Sequence, residues 1–84
     1  MRREEILVKA GSLINGPRAQ KYGDARANHA RIAKMWSALL DTEVSVEQVY
    51  QCMIAVKLAR LSVTPDHEDS WVDICGYGAL GGEK

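Results

Sequence analysis

Apolar residues recur at helical spacing in four stretches of this 84-residue chain. The stretches cover about residues 3–14, 25–40, 46–61 and 71–80. Spacings of three and four residues place such side chains on one face of an α-helix. The pattern therefore predicts an all-α fold, a small bundle of about four short helices.

Capping residues indicate where these helices begin. Asp24 can accept a hydrogen bond from the first turn of the second helix, as N-cap aspartates do. Ser45 followed by Gln48 matches a capping box, which predicts that the third helix begins after Ser45. Ser70 followed by Asp73 matches the same pattern, which predicts that the last helix begins after Ser70.

One face of each helix is predicted to form the core. At about 100° per residue, the apolar face of the second helix comprises Ile32, Ala33, Trp36, Leu39 and Leu40. The apolar face of the third helix comprises Val46, Tyr50, Met53, Ile54 and Leu61. Cys52 and Cys75 lack zinc-ligand spacing and lie beside apolar residues, so both are predicted to be buried free thiols.

Two pairs of charged residues lie close to the turn before the last helix. Lys57 falls within the apolar face of the third helix, and Arg60 lies at its edge. Asp69 and Asp73 are four residues apart and share a face of the fourth helix. We expect these cations and carboxylates to be neighbours. They form either a structural ion-pair network, with Lys57 able to extend to solvent, or part of a binding site.

Further polar residues lie near the same predicted interior. Asn28 and His29 fall on or beside the apolar face of the second helix, where buried polar groups need partners. They either hydrogen-bond to a neighbouring loop or face a site together with the charged residues. Arg18, Lys21 and Tyr22 lie in the loop after the first helix. Tyr22 either covers the core or joins the two basic residues at the rim of a site for an anionic, ring-bearing ligand.

Length and charge restrict the classes of function. Residues 1–84 make one helical domain and leave no room for a second. A core this small leaves apolar surface uncovered, so we expect a homo-oligomer. Eleven basic and eleven acidic residues cancel, which argues against nucleic acid as a partner. The chain has no signal peptide and no apolar run that could cross a bilayer, so no membrane partner and a cytoplasmic location are expected.

The residues do not indicate nucleophilic catalysis or a zinc site. No Ser or Cys forms a recognisable pattern with a His, and no His or Cys pair has zinc-ligand spacing. Two other chemistries stay open. Asp69 and Asp73 can hold Mg²⁺ through carboxylate oxygens. Alternatively Lys57, Arg60 and Arg18 hold a phosphate, since guanidinium groups bind phosphate through paired hydrogen bonds, while the acids orient the cations or accept from a ribose or base.

The order of four segments resembles a known family. The segments are K-Y-G-D at 21–24, a helix containing Asn28 and Trp36, K-L-A-R-L at 57–61, and D-S-W-V-D-I-C-G-Y at 69–77. This order resembles small phage and prophage proteins of unassigned function, over nearly the whole chain. It is similar, more distantly, to phage nucleotide-modification-associated domains, which carry a comparable Tyr-Gly, Lys-x-x-Arg and Ser-x-x-Asp plus Tyr order.

The all-α MazG-type nucleotide pyrophosphohydrolases are the nearest enzymatic comparison. They build a magnesium site from a Glu-x-x-Glu helix and a Glu-x-x-Asp helix. In this chain Glu4 and Glu5 are adjacent, and Glu47 has no acidic partner one turn away. Only Asp69 and Asp73 resemble half of such a site. The missing ligands argue against hydrolysis, and whether the chain is an enzyme is left open.

The resemblance to phage proteins implies a further role. Some phage proteins of this size form oligomers that sequester the nucleotide messengers of anti-phage defence, and this chain is similar in size and class. A phosphate-bearing purine would then be held by Lys57, Arg60, Asp69, Asp73, Asn28, Tyr22, Arg18 and Tyr77. The first hypothesis is therefore a nucleotide-sequestering oligomer in the bacterial host cytoplasm, with neither chemistry nor a cofactor. A MazG-like, magnesium-dependent pyrophosphohydrolase and a structural or protein-interaction module are the alternatives.

Overall fold

The computed structural model describes residues 1–16 and 24–84 and contains four α-helices in those ranges. They are α1 (Arg3–Asn15), α2 (Ala25–Leu40), α3 (Val46–Val63) and α4 (Glu68–Gly82). Neither of the two described ranges contains a β-strand. The predicted all-α fold of four helices is confirmed.

Two of the predicted helix starts are confirmed by their hydrogen bonds. The Asp24 carboxylate accepts a hydrogen bond from the Ala27 backbone N–H at 3.1 Å and caps α2. Ser45 Oγ accepts from the Gln48 backbone N–H at 3.1 Å, and the Gln48 side chain accepts from the Ser45 N–H at 2.8 Å. Each pair satisfies donors that the first turn of a helix leaves without intrahelical partners.

The predicted start of α4 is wrong, because His67 rather than Ser70 is the N-cap. His67 Nδ1 accepts a hydrogen bond from the Ser70 backbone N–H at 3.3 Å, so α4 begins at Glu68. Ser70 is fully buried, and its hydroxyl lies 2.8 Å from the same imidazole nitrogen. Asp73 therefore lies inside the helix and is free of the capping role that the sequence pattern had assigned to it.

Helix α4 occupies the middle of the arrangement. It packs against α1 on one side and α3 on the other, and α2 packs mainly against α3. Seven apolar residues of the described ranges are buried between these helices: Ala10, Ala33, Val49, Tyr50, Leu61, Val72 and Leu80. Since α1 and α2 pack mainly on other helices rather than on each other, the fold leaves a space between them.

Several predicted core positions lie at the surface instead. Leu39 and Leu40 of α2 are 78% and 65% exposed. Cys52 is exposed and Cys75 is half-buried, so the prediction of two buried thiols is wrong for Cys52. Apolar spacing identifies the side of a helix that can be buried, whereas burial also requires a second element to cover it. No helix in the described ranges is long and apolar enough to cross a membrane.

Candidate functional site

A cavity of about 480 Å³ occupies the space between α1 and α2. Its volume lies within the range of about 300–1,000 Å³ that is typical of small-molecule pockets. Its apolar wall comprises Ala10, Leu13, Ile14, Ala25, Ile32, Trp36, Met53, Val72, Gly76 and Leu80. Asn28, His29, Asp73 and Tyr77 add polar groups to this wall. An apolar cavity with a few polar groups is the usual form of a site for a small organic ligand.

Lys57 and Asp73 form an ion pair at the edge of the cavity. Lys57 Nζ lies 3.1 Å from Asp73 Oδ2, and the two side chains are 14% and 34% exposed. Asp73 lines the cavity, whereas Lys57 approaches the carboxylate from α3. The expectation that a cation on the apolar face of α3 meets a carboxylate of α4 is confirmed for this pair. The ammonium group fixes the orientation of the carboxylate at the cavity wall.

Asp69 and Arg60, the other members of the two charged pairs, lie elsewhere. Asp69 is exposed and pairs with Lys9 of α1 at 3.4 Å. Arg60 is exposed on α3. Neither Asp69 nor Arg60 is among the described residues that line the cavity. Their roles in ligand binding stay predictions, as do those of Arg18 and Tyr22, which lie outside the described residues.

Three aromatic rings pack together beside the cavity. The His29 ring centroid lies 4.8 Å from that of Tyr50 and 5.8 Å from that of Tyr77, with an edge-on arrangement in the second pair. His29 Nδ1 lies 2.7 Å from the Ala25 carbonyl oxygen. A carbonyl oxygen only accepts hydrogen bonds, so Nδ1 carries the proton. In the neutral imidazole, Nε2 is consequently left as a hydrogen-bond acceptor.

Tyr50 supports this aromatic group from within the core. Its side chain is 2% exposed, and its hydroxyl has no hydrogen-bond partner among the residues that the structure describes. Burial raises the pKa of Tyr50 above its ordinary value of 10.0, and the nearby Arg26 guanidinium opposes this effect. The hydroxyl is therefore neutral at pH 7 and has lost its hydration without a protein partner in return.

A metal site requires several oxygen, nitrogen or sulfur ligands in one place. In residues 1–16 and 24–84, no group of three His, Cys, Asp or Glu side chains is arranged to hold a metal ion. Asp69 and Asp73, the two carboxylates suggested for Mg²⁺, are each paired with a different lysine. Only Asp73 of the two lines the cavity.

Comparison with known proteins gives the family of the chain. The model described as "Domain of unknown function (DUF6378)" matches residues 5–84. The chain belongs to this family. It is 46% identical over 76 residues to the "Gene 55 protein" of Mycobacterium phage L5, which covers 89% of this chain and 49% of that protein. It is 42% identical over 74 residues to the "Gene 55 protein" of Mycobacterium phage D29, with 88% and 49% covered.

The DUF6378 chain spans about half the length of these curated relatives. No solved structure matches it significantly. The resemblance to a family of phage proteins is thus confirmed. The comparisons do not show the more distant likeness to nucleotide-modification domains or to MazG-type enzymes.

Arg26 is a residue of the DUF6378 chain whose role was missed from the sequence. Its Nη1 donates to the Leu80 carbonyl oxygen at 2.6 Å, and its Nη2 donates to Glu47 Oε1 at 2.7 Å. Its guanidinium carbon lies 5.8 Å from the centre of the Tyr50 ring. Arg26 therefore joins α2 to the start of α3 and the end of α4. Its position on α2, which is polar and near a helix start, gave no signal for these distant partners.

Proposed function

We propose that this domain binds a nucleotide-type small molecule in the cavity between α1 and α2 and holds it without chemical conversion. The cavity of about 480 Å³ carries this proposal. It has room for a nucleobase, and its rings at Trp36 and Tyr77 offer surfaces for a planar ligand. In the cytoplasm of an infected host, such binding would sequester a nucleotide signal of anti-phage defence.

Binding is favoured over magnesium-dependent hydrolysis by the distribution of carboxylates. Phosphate hydrolysis of this kind uses metal ions held by several oxygen ligands. Among the described lining residues, Asp73 is the one carboxylate, and an ammonium group already neutralises it. A MazG-like hydrolase remains the competing hypothesis, and recovery of the ligand distinguishes the two.

We propose in addition that the domain self-associates through α3. Cys52, Val56, Ala59 and Val63 follow one another at spacings of four and three residues, and all are exposed. Val56 and Val63 are 49% and 84% exposed. This spacing is that of a seam between two packed helices. Size-exclusion chromatography with light scattering should give an oligomer, and Val63→Glu should lower its mass. A wild-type chain that is a monomer would contradict self-association. The exposed face of α3 would then be expected to contact the part of the longer relatives that lies outside the match.

The ligand proposal is tested by tryptophan fluorescence. The chain has two tryptophans, of which Trp36 lines the cavity and Trp71 is exposed on α4. In a Trp71→Phe variant, Trp36 is the sole reporter, and stacking of a bound base should quench it. In the Trp36→Phe variant, emission from Trp71 should not respond.

The same titration is made with a panel of nucleotides and cyclic nucleotides, with and without Mg²⁺. After each titration, the protein is denatured and the nucleotide is recovered by chromatography. Quenching with intact nucleotide supports sequestration, and quenching with cleaved product supports hydrolysis. No response from Trp36 across the panel, together with no thermal shift, contradicts the proposal and favours an interaction module.

A further inference from the structure

We infer that the cavity selects a nucleobase that carries an amino group, with the Asp73 carboxylate as its acceptor. The inference rests on the function proposed above and specifies which part of a nucleotide enters the cavity. It follows from the polar atoms that line the wall, since their charges and hydrogen-bonding capacities restrict what can bind there.

Charge decides which end of a nucleotide fits. The charged side chain among the described lining residues is that of Asp73, and these residues include no lysine or arginine. A phosphate placed inside would find no cation among these lining residues, and the nearby Lys57 is already paired with Asp73, so the phosphate would lose its hydration without a compensating charge. The neutral base therefore enters the cavity, and the phosphate stays outside its described wall.

The Asp73 carboxylate is held ready to accept. Its Oδ2 lies 3.1 Å from Lys57 Nζ, and the Lys57 side chain is only 14% exposed. One oxygen is thus fixed by the ammonium group, and the other has capacity for a donor from a ligand. An ionised carboxylate accepts hydrogen bonds and never donates them. The ligand group that it contacts must consequently be an N–H or O–H donor.

His29 adds a second acceptor to the same wall. Its Nδ1 proton is committed to the Ala25 carbonyl oxygen at 2.7 Å, which leaves Nε2 of the neutral ring as an acceptor. Asn28, one position earlier, offers a donor and an acceptor through its amide. Two acceptors and one adaptable amide favour a base that presents an amino group, such as guanine or adenine, over hypoxanthine or unsubstituted purine.

The test compares nucleotides that differ only by the amino group. Guanosine monophosphate is titrated against inosine monophosphate, and adenosine monophosphate against purine riboside monophosphate, with Trp36 emission as the readout. A hydrogen bond to a charged acceptor predicts about 10- to 100-fold tighter binding of the amino-bearing member of at least one pair. Equal affinities within both pairs overturn the inference but leave the proposed function standing. No binding of any of the four overturns the inference, and the proposed function fails as well if no nucleotide of the wider panel binds.

Substitution of Asp73 assigns the preference to one residue. Asp73→Asn keeps the shape of the side chain but replaces an acceptor oxygen with a donor, so the preference for the amino-bearing nucleotide should disappear or invert. Asp66→Asn, in the exposed turn before α4, is the matched control and should retain it. An Asp73→Asn protein that is folded and keeps the wild-type preference contradicts the inference. If that variant does not fold, the nucleotide pairs measured on the wild-type chain decide.

Discussion

Replacement of Tyr50 by phenylalanine tests whether the buried, unpaired Tyr50 hydroxyl lowers the stability of the core. The Tyr50 side chain is 2% exposed, and its hydroxyl has no partner in the described part of the chain. A buried polar group without a hydrogen bond costs about 1–3 kcal/mol of desolvation. Tyr50→Phe removes that cost and keeps the ring against His29 and beneath Arg26. We expect the variant to be more stable by about 1 kcal/mol or more at pH 7.

The pH dependence gives an independent check of the same residue. The pKa of Tyr50 in the folded protein is raised above its ordinary value of 10.0 by burial. As the pH rises past 10.0, the unfolded chain loses this proton first, so stability falls until the folded-state pKa is also passed. Below that window the contribution is constant. The stability difference between Tyr50→Phe and wild type should therefore grow in alkaline solution, by at most about 1.4 kcal/mol per pH unit.

Urea denaturation followed by circular dichroism, at pH 7 and at several alkaline values, measures both effects. A gain of 1 kcal/mol corresponds to a rise in Tm of about 4–8 °C for a domain of this size. Tyr77→Phe is the matched control, since Tyr77 is half-buried and its hydroxyl is not among the buried unpaired groups. This control substitution should change the free energy of unfolding by no more than about 0.5 kcal/mol. A Tyr50→Phe protein that is less stable than wild type, or whose advantage does not change with pH, would refute the reasoning.

Four further substitutions test how the helices are held. Arg26→Ala should destabilise the fold by about 1–3 kcal/mol, because it leaves the Leu80 carbonyl unpaired. Glu47→Gln should change stability by less than about 1 kcal/mol. Comparable losses for the two variants in urea titrations would contradict this ranking. Asp41 ends α2 with φ of 52°, so Asp41→Gly should stabilise by about 1 kcal/mol, and a loss in Tm would be the contrary result. Ser37→Ala should destabilise the fold by about 1–2 kcal/mol, since the Ser37 hydroxyl accepts from the Val44 N–H at 2.9 Å and donates to the Ala33 carbonyl. An unchanged midpoint of urea denaturation would show that neither contact matters.

Local signals predicted the helices because their causes are local. The sequence pattern placed α2 at residues 25–40, and the structure has the same bounds. Asp24 and Ser45 act within three residues of themselves, so their roles follow from sequence spacing alone. The exception is the start of α4, because His67 and Ser70 are both able to cap this helix. The choice between them depends on the burial of Ser70, which is a tertiary property.

The charged residues show where prediction from spacing ends. The position of Lys57 on an apolar face correctly predicted a carboxylate partner on α4. Spacing could not decide between Asp69 and Asp73, because the two share one helix face. Helix α1 distinguishes the two aspartates, because its Lys9 pairs with Asp69, which is 60 positions away in the chain. Leu39 and Leu40 failed for a related reason, since their exposure depends on which helices cover α2.

The candidate site exists because of the way in which the four helices share partners. Helix α4 packs between α1 and α3, and α2 packs mainly on α3, so α1 and α2 are held apart above the residues that line the cavity floor. Lys57 and Tyr50 lie on α3 beneath this space, one fixing the Asp73 carboxylate and the other supporting the His29 ring. The groups that would contact a ligand are thus positioned by residues of the core itself. A ligand that contacts both α1 and α2 would bridge two helices that pack mainly on other partners, and its binding to the folded state would raise the stability of the chain.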